Sequence, residues 1–393
     1  MAWSRAALGL AAAIVVSAIA VSGGSRDDSV QLSYLPKRNE LRTVFEYGRA
    51  RVIDVRSLGV PRAVGPDPRW LAQARPLGPS APRWARRLYS RSLLVLRALT
   101  DRRTGAVIAG ARNGWEYVWP RDASAVAMAL ASAGYQSEAR RIVRFLLGLD
   151  LGAAARFHPD GRPVAGRGAQ GDAGGWISAA AEAVALADPR RPQPWRDRAD
   201  YQEGDSGDFL ANAIASTAGE PQGIPAGNPA VRRRAELEIR EDFEKDGVLV
   251  REAGDLGSGI DSTAAWAVRP FRLRSLYPAT RRTLFRIAAQ SGRFGIVPSE
   301  RWDGGEDPWT APTAWTAWSL AALGERSAAL RLMAELRRDE TRAGFLPERV
   351  DALTGIPTST TPLAWSHAFA ILALRELWPQ TGRQSGRRQR QSQ

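Results

Sequence analysis

The sequence predicts an all-α chain built as a toroid of helical hairpins. Three observations carry this expectation. Apolar residues recur at three- and four-residue spacing from Arg83 to about Trp378, strand patterns between them are few and short, and one helix–turn–helix unit occurs twice. The two copies align without gaps: Ala127–Leu146, "AMALASAGYQSEARRIVRFL", against Ala317–Leu336, "AWSLAALGERSAALRLMAEL". In each, a helix of Ala, Ser and other residues without a charged face leads through a glycine (Gly134, Gly324) into a helix with one apolar stripe and one Arg-bearing face. The first kind must be buried on most sides, and the second kind can only cover it. A buried helix with its cover is one hairpin. With roughly ten to twelve helical stretches, two concentric rings of six fit the length, and a coil of hairpins that does not close is the structural alternative.

The elements follow in chain order. "MAWSR" precedes the apolar run Ala6–Val21, and "SGGSRDDS" follows it. One positive charge, an almost uninterrupted apolar stretch and small residues beyond it read as a signal peptide or an N-terminal transmembrane anchor within residues 1–22. Ala18-Ile19-Ala20 supplies a cleavage site for the first reading; Arg5 before the run and Asp27-Asp28 after it favour a body outside the membrane for either. Residues 23–80 are rich in Pro, Gly and Arg and read as a linker, with the Val/Ile alternation of a short strand or two in Ala50–Val64. The helical domain occupies residues 81–380. Its helices are "RWARRLYSRSLLVLRALT", the two echoed pairs, "GGWISAAAEAVALA", "DFLANAIASTAG", "RRRAELEIREDFEKDG", "ATRRTLFRIAAQSG" and "LAWSHAFAILALRELW", with breaks at Gly, Pro and Asp. Residues 381–393 form a basic, disordered tail.

Composition excludes several chemistries. There is no cysteine, so neither a disulfide framework nor a thiolate metal site exists. The only two histidines, His158 and His367, leave no room for a His-based zinc centre and argue against a Ser-His-Asp triad. The net charge of +14 is carried almost entirely by arginine, yet the arginines are scattered among acidic residues, so no nucleic-acid partner is expected. No Gly-rich phosphate loop follows a strand.

Loops of one composition stand before the buried helices. "NGWEYVWPRD" holds Trp115, Tyr117, Trp119, Arg121 and Asp122, and "QGDAGGW" holds Gln170 and Asp172. "ERWDGGEDPWTAPTAW" holds Trp309, and "LPERVDALTGIPTSTTPLAW" holds Glu348 and Trp365. N-capping alone accounts for an acid at each position but not for the tryptophans, which number 14 against 7 tyrosines. Indole faces stack on the apolar faces of sugar rings while acids and arginine bind hydroxyls, so the loops together read as a carbohydrate cavity. Asp261 in "GIDSTAAW" reads as the N-cap of a further buried helix, and His367 as a packed histidine.

These same stretches resemble glycoside hydrolase family 15, the glucoamylase-like enzymes. "WEYVWPRDASAVAMALASAGY" is similar to its aromatic-x-Trp-x-Arg-Asp signature, and "AQGDAGGW" to its Gln-x-Asp loop. "DGGEDPWTAPTAWTAWSL" is similar to its Gly-Gly-x-Pro-Trp segment, and Phe345–Leu374 to its C-terminal signature. The order is the expected one from Trp84 to Trp378. The resemblance implies an (α/α)₆ barrel and an inverting hydrolysis of terminal α-glucosidic bonds that needs no cofactor. It implies that Arg121 and Asp122 bind the terminal sugar's hydroxyls, that Trp119 and Trp365 wall the subsite, and that Glu348 is the general base. Glu203 in "DYQE" matches the general acid, with Asp205 and Glu252 as the other candidates; Gln202 and Arg349 stand where the family carries Trp and Gln. The expectation is therefore an exported, secreted or membrane-anchored glycosidase acting on a carbohydrate. The alternative is a cell-envelope protein that keeps the sugar cavity without the acid.

Overall fold

The computed structural model describes residues 67–110, 115–188, 195–201, 206–218 and 229–380, and the backbone of three strands between residues 31 and 54. The apolar run Ala6–Val21, the tail 381–393, Glu203 and Asp205 lie outside the described residues. Among the described residues no helix is long and apolar enough to cross a membrane. The strands β1 (Gln31–Leu32), β2 (Leu41–Glu46) and β3 (Arg49–Asp54) pair antiparallel in that order. The third coincides with the front of the strand expected at Ala50–Val64.

After a one-turn helix at Pro68–Leu71, the longer helices are α1 (Arg83–Ala98), α2 (Pro120–Ser132), α3 (Gln136–Leu147), α4 (Ala173–Ala183), α5 (Leu210–Ser216), α6 (Pro229–Phe243), α7 (Tyr277–Ala289), α8 (Thr310–Ala322), α9 (Arg326–Leu336) and α10 (Ala364–Leu377). A 3₁₀ helix, Ser262–Ala267, lies between α6 and α7. Six of these elements form a closed inner ring, each packed on the next: α2, α4, α5, the 3₁₀ helix, α8, α10, and back to α2. Closure decides between the two expectations, and the coil is the one that fails. The inner helices are buried nearly all round; in α8 every residue from Thr310 to Leu320 is buried. Covering helices such as α3 bury one stripe only, Ala139, Ile142, Val143 and Leu146.

The repeated unit folds twice in the same way. In α2–α3 the glycine Gly134 has φ +100°, and in α8–α9 Gly324 has φ +84°, a backbone region that side chains with a Cβ disfavour. The next residue then reaches back over the helix end: Tyr135 N–H donates to Leu130 O and Glu325 N–H to Leu320 O, both at 2.9 Å.

Two features depart from two equal rings of six. The fourth inner position is one short 3₁₀ helix, because Pro270 follows within a few residues and cannot continue it. Among the described residues five helices, α1, α3, α6, α7 and α9, cover the ring, and none stands between α4 and α5. Residues 189–194 and 202–205 of that stretch lie outside the described residues. The sequence reading also passed over a hairpin. α6 ends at Phe243, and Asp246 and Gly247, with φ of +50° and +77°, turn Glu244–Lys245 back onto Val248–Leu249. An Asp-Gly pair with both φ positive is the preferred two-residue hairpin turn. Val248–Glu252 (β4) then pairs with Asp255–Ile260 (β5).

Candidate active site

The first residues of the inner elements share one end of the ring. Isolated β-bridges tie them into a collar: Gly110 to Leu363, Trp309 to both Ile296 and Arg349, Asp261 to Ser299, Phe209 to Glu252, and Gln170 to Ala199. Their N-terminal dipoles converge there, which favours negative charge at the mouth. The acids follow that field: Asp122 in the first turn of α2, Asp172 at the N-cap of α4, and Asp261 at the N-cap of the 3₁₀ helix.

Arg121 is the centre of the site. It begins α2 behind Trp119 and Pro120 and is only 4% exposed. Its Nη1 donates to Asp172 Oδ2 at 2.9 Å and to Gln170 Oε1 at 3.4 Å, and its Nε stands 3.6 Å from Asp122 Oδ2. The guanidinium lies 4.7 Å over the Trp365 ring and 5.9 Å from the Tyr201 ring. A buried arginine is tolerable only when its charge is matched, and here two carboxylates match it. Charge-assisted bonds of this kind fix the fork's plane.

Glu348 sits at the next mouths around the ring. Its main chain is pinned on both sides: its N–H donates to Thr360 O and its carbonyl accepts from Thr310 N–H, each at 2.9 Å. Leu363 N–H donates to Leu346 O at 3.0 Å, and Ala364 N–H to Ala109 O at 2.7 Å, which joins this segment to the residues that follow α1. The buried carboxylate accepts from Ser359 Oγ. The adjacent Arg349 guanidinium stands 5.9 Å over the Trp309 ring.

The remaining aromatic residues divide. Trp115 and Tyr117 pack partly against the core at the rim, with Tyr117 6.2 Å from Trp119 and an unforeseen residue, Arg156, 4.7 Å over Tyr117 and 5.4 Å over Trp119. Trp302 meets Trp309 edge-on at 5.2 Å and stacks with Tyr201 at 6.4 Å. Trp176, Trp266, Trp315 and Phe369 interlock below them, at 4.9–5.9 Å, and fill the ring as core. The indole N–H groups of Trp302, Trp309 and Trp365 are buried without a hydrogen-bond partner among the described residues. The indole N–H groups of Trp176 and Trp266 in the core share this state.

Asp261 caps as expected, with Oδ1 accepting from Thr263 N–H at 2.7 Å, and burial pushes its carboxyl up to about 6. His367 is the packed histidine anticipated. Its Nδ1 meets Ser92 Oγ at 2.8 Å and its Nε2 accepts from Leu346 N–H at 2.9 Å, so Nδ1 carries the proton. Burial lowers its pKa to about 3. Of the candidates for a second carboxylate, Glu252 lies in β4 at the collar, where its N–H donates to Ser258 Oγ at 3.1 Å. Sequence reasoning missed Tyr201, Trp302, Ser359 and Arg251. Trp302 and Ser359 lie within the loops it singled out and Tyr201 within "DYQE", whereas Arg251 carries no local signal.

Residues 83–149 match the family described as Glycosyl hydrolases family 15. No curated protein matches the chain in sequence. Among solved structures, a variant glycosidase in complex with glucose superposes with a TM-score of 0.65 at 20% identity, covering 80% of this chain and 99% of that one. A bacterial glucoamylase complexed with acarbose gives 0.58 at 17% identity, covering 79% of this chain and 57% of that one. The glucoamylase of Saccharomycopsis fibuligera gives 0.57 at 12% identity, covering 75% and 94%. The sequence match is local and the structural match is one of fold, and together they make this a divergent chain on the glycosidase and glucoamylase fold, similar to glycoside hydrolase family 15.

Proposed function

We propose that this chain hydrolyses terminal α-glucosidic bonds with inversion, binding the terminal glucose in the mouth of the inner ring. The observation that carries the reading is the Arg121 clamp. A buried guanidinium fixed by Asp172 and Gln170, laid over Trp365 and flanked by Asp122, offers planar donors and an apolar wall to one sugar ring. In this reading Trp119 and Trp309 line the same subsite, and Trp115 and Tyr117 extend it at the rim.

Glu348 is assigned the general base. It deprotonates a water that attacks the anomeric carbon from the face opposite the leaving oxygen, while a second carboxyl protonates that oxygen. The two carboxyl groups of an inverting pair stand roughly 6.5–9.5 Å apart to admit the water. Ser359 Oγ, donating to Oε2, orients the Glu348 carboxylate for this role. Glu203 is assigned the general acid on the sequence resemblance of "DYQE" alone. Action outside the membrane belongs to the same proposal and is supported by the sequence of residues 1–22.

The test is Glu348→Gln, assayed on maltose, isomaltose, trehalose and dextran. Turnover of the hydrolysed substrate is expected to fall by about 10²–10⁴-fold, with binding of that sugar retained in calorimetry. Undiminished turnover in the variant removes Glu348 from the mechanism. Sugar binding by a parent protein with no hydrolysis of any of the four supports a binding protein instead.

A further inference from the structure

Arg251 lies in β4, outside every loop that resembles the glycosidase signatures, yet it connects to the clamp through two buried residues, Asp200 and Gln170. Its Nη2 donates to Asp200 Oδ2 at 3.0 Å, with the two side chains 15% and 3% exposed. Its guanidinium lies 5.1 Å over the Phe209 ring, and Phe209 is the N-cap of α5. The charges of Asp261 and Asp200 both act on it. Asp200 in turn uses its main chain: its carbonyl accepts from Gln170 Nε2 at 3.2 Å, while Gln170 Oε1 faces Arg121 Nη1 at 3.4 Å. Tyr201, the next residue, presents its ring to the Arg121 guanidinium.

The direction of this chain follows from donor and acceptor chemistry. A glutamine amide has two orientations, and a carbonyl accepts only. The Asp200 carbonyl therefore draws the Gln170 NH₂ group to itself and leaves the oxygen for Arg121. Reversed, the amide would aim its donors at a guanidinium that has only donors. The position of the Asp200 peptide sets which face Gln170 shows to the clamp; the Gln170–Ala199 bridge and the Asn212 amide on Arg198 O and Ala199 O hold the main chain before it, and the Arg251 ion pair holds the Asp200 side chain. A largely buried ion pair contributes little net stability against an apolar replacement, which leaves geometry as the role to test for this one.

We propose that Arg251 is a positioning residue for sugar binding, acting through Asp200 and Gln170 to align the Arg121 guanidinium. The inference rests on the functional reading above. It makes affinity for the terminal sugar, rather than the chemical step, sensitive to a residue that does not touch substrate.

The experiment uses the full chain and whichever of maltose, isomaltose and trehalose the parent protein hydrolyses. Arg251→Met is expected to raise KM about tenfold and to change kcat less than about threefold, the signature of lost uniform binding. Arg251→Lys, which keeps a cation against Asp200, is expected to stay within about threefold of the parent KM. In a Gln170→Ala background Arg251→Met is expected to add less than about twofold, because the path to Arg121 is already cut. If Arg251→Met does not fold, Asp200→Asn weakens the same ion pair with the main-chain carbonyl retained and is held to the same criteria. An unchanged KM, or an effect that adds in full on Gln170→Ala, overturns the inference while leaving the proposed function standing. A parent protein that neither binds nor hydrolyses these sugars overturns the proposed function and this inference with it.

Discussion

His367 ties the last inner helix to the segment that carries Glu348. Both ring nitrogens are used, one with Ser92 Oγ and one on Leu346 N–H, two residues before Glu348. Because burial holds its pKa near 3, below the usual 6.5, the neutral form belongs to the folded state. Its contribution is therefore fully present above pH 6.5 and is lost as pH falls toward 3. His367→Phe leaves the Leu346 N–H without its acceptor and is expected to cost about 1–3 kcal/mol at pH 7. Urea unfolding of parent and variant from pH 7 to pH 4 is expected to show the gap closing on acidification, since only the parent loses stability through this group. A gap that stays constant over that range removes the histidine from the account. Arg121 and Asp122 are legible at this scale, since an adjacent charge pair after Trp119 on an otherwise apolar helix has few structural uses. Tyr201 and Arg251 are not, because their partners lie far along the chain and nothing in the local sequence encodes the meeting.

Among the elements, α4 and α5 approach closely at Gly175. A Cβ placed on Gly175 would lie 1.9 Å from Ala215 O and 2.5 Å from its carbonyl carbon, both main-chain atoms that cannot swing aside. Gly175→Ala is expected to destabilise the fold by about 1–3 kcal/mol or more by overpacking, read as a lowered denaturation midpoint. A variant as stable as the parent would mean that these two helices do not pack as described. The helices themselves are legible wherever an apolar stripe runs three turns, and the α2–α3 and α8–α9 echo is legible down to its glycine. The hairpin after α6 is less so. "EKDGVLV" continues the charged pattern of the helix before it, and the Asp-Gly turn is the one local signal that the chain reverses.

For the whole molecule, ring closure turns scattered loops into a site. Arg121, Asp172, Asp261, Trp309 and Glu348 come from five different inner mouths, and closure gathers those mouths at one end. The fold was legible from periodicity and repetition because those are properties of each segment. The proposed site was legible only as a composition, acids with tryptophans before buried helices, and the contacts among its residues required the folded chain. The central claim is that this mouth performs inverting hydrolysis, with water activated on the face opposite the departing oxygen. The most direct measurement is ¹H NMR of the anomeric protons in the first minutes after the protein is mixed with maltose, isomaltose or trehalose, before mutarotation. The account predicts β-glucose from the cleaved terminal residue, and α-glucose from that residue contradicts it.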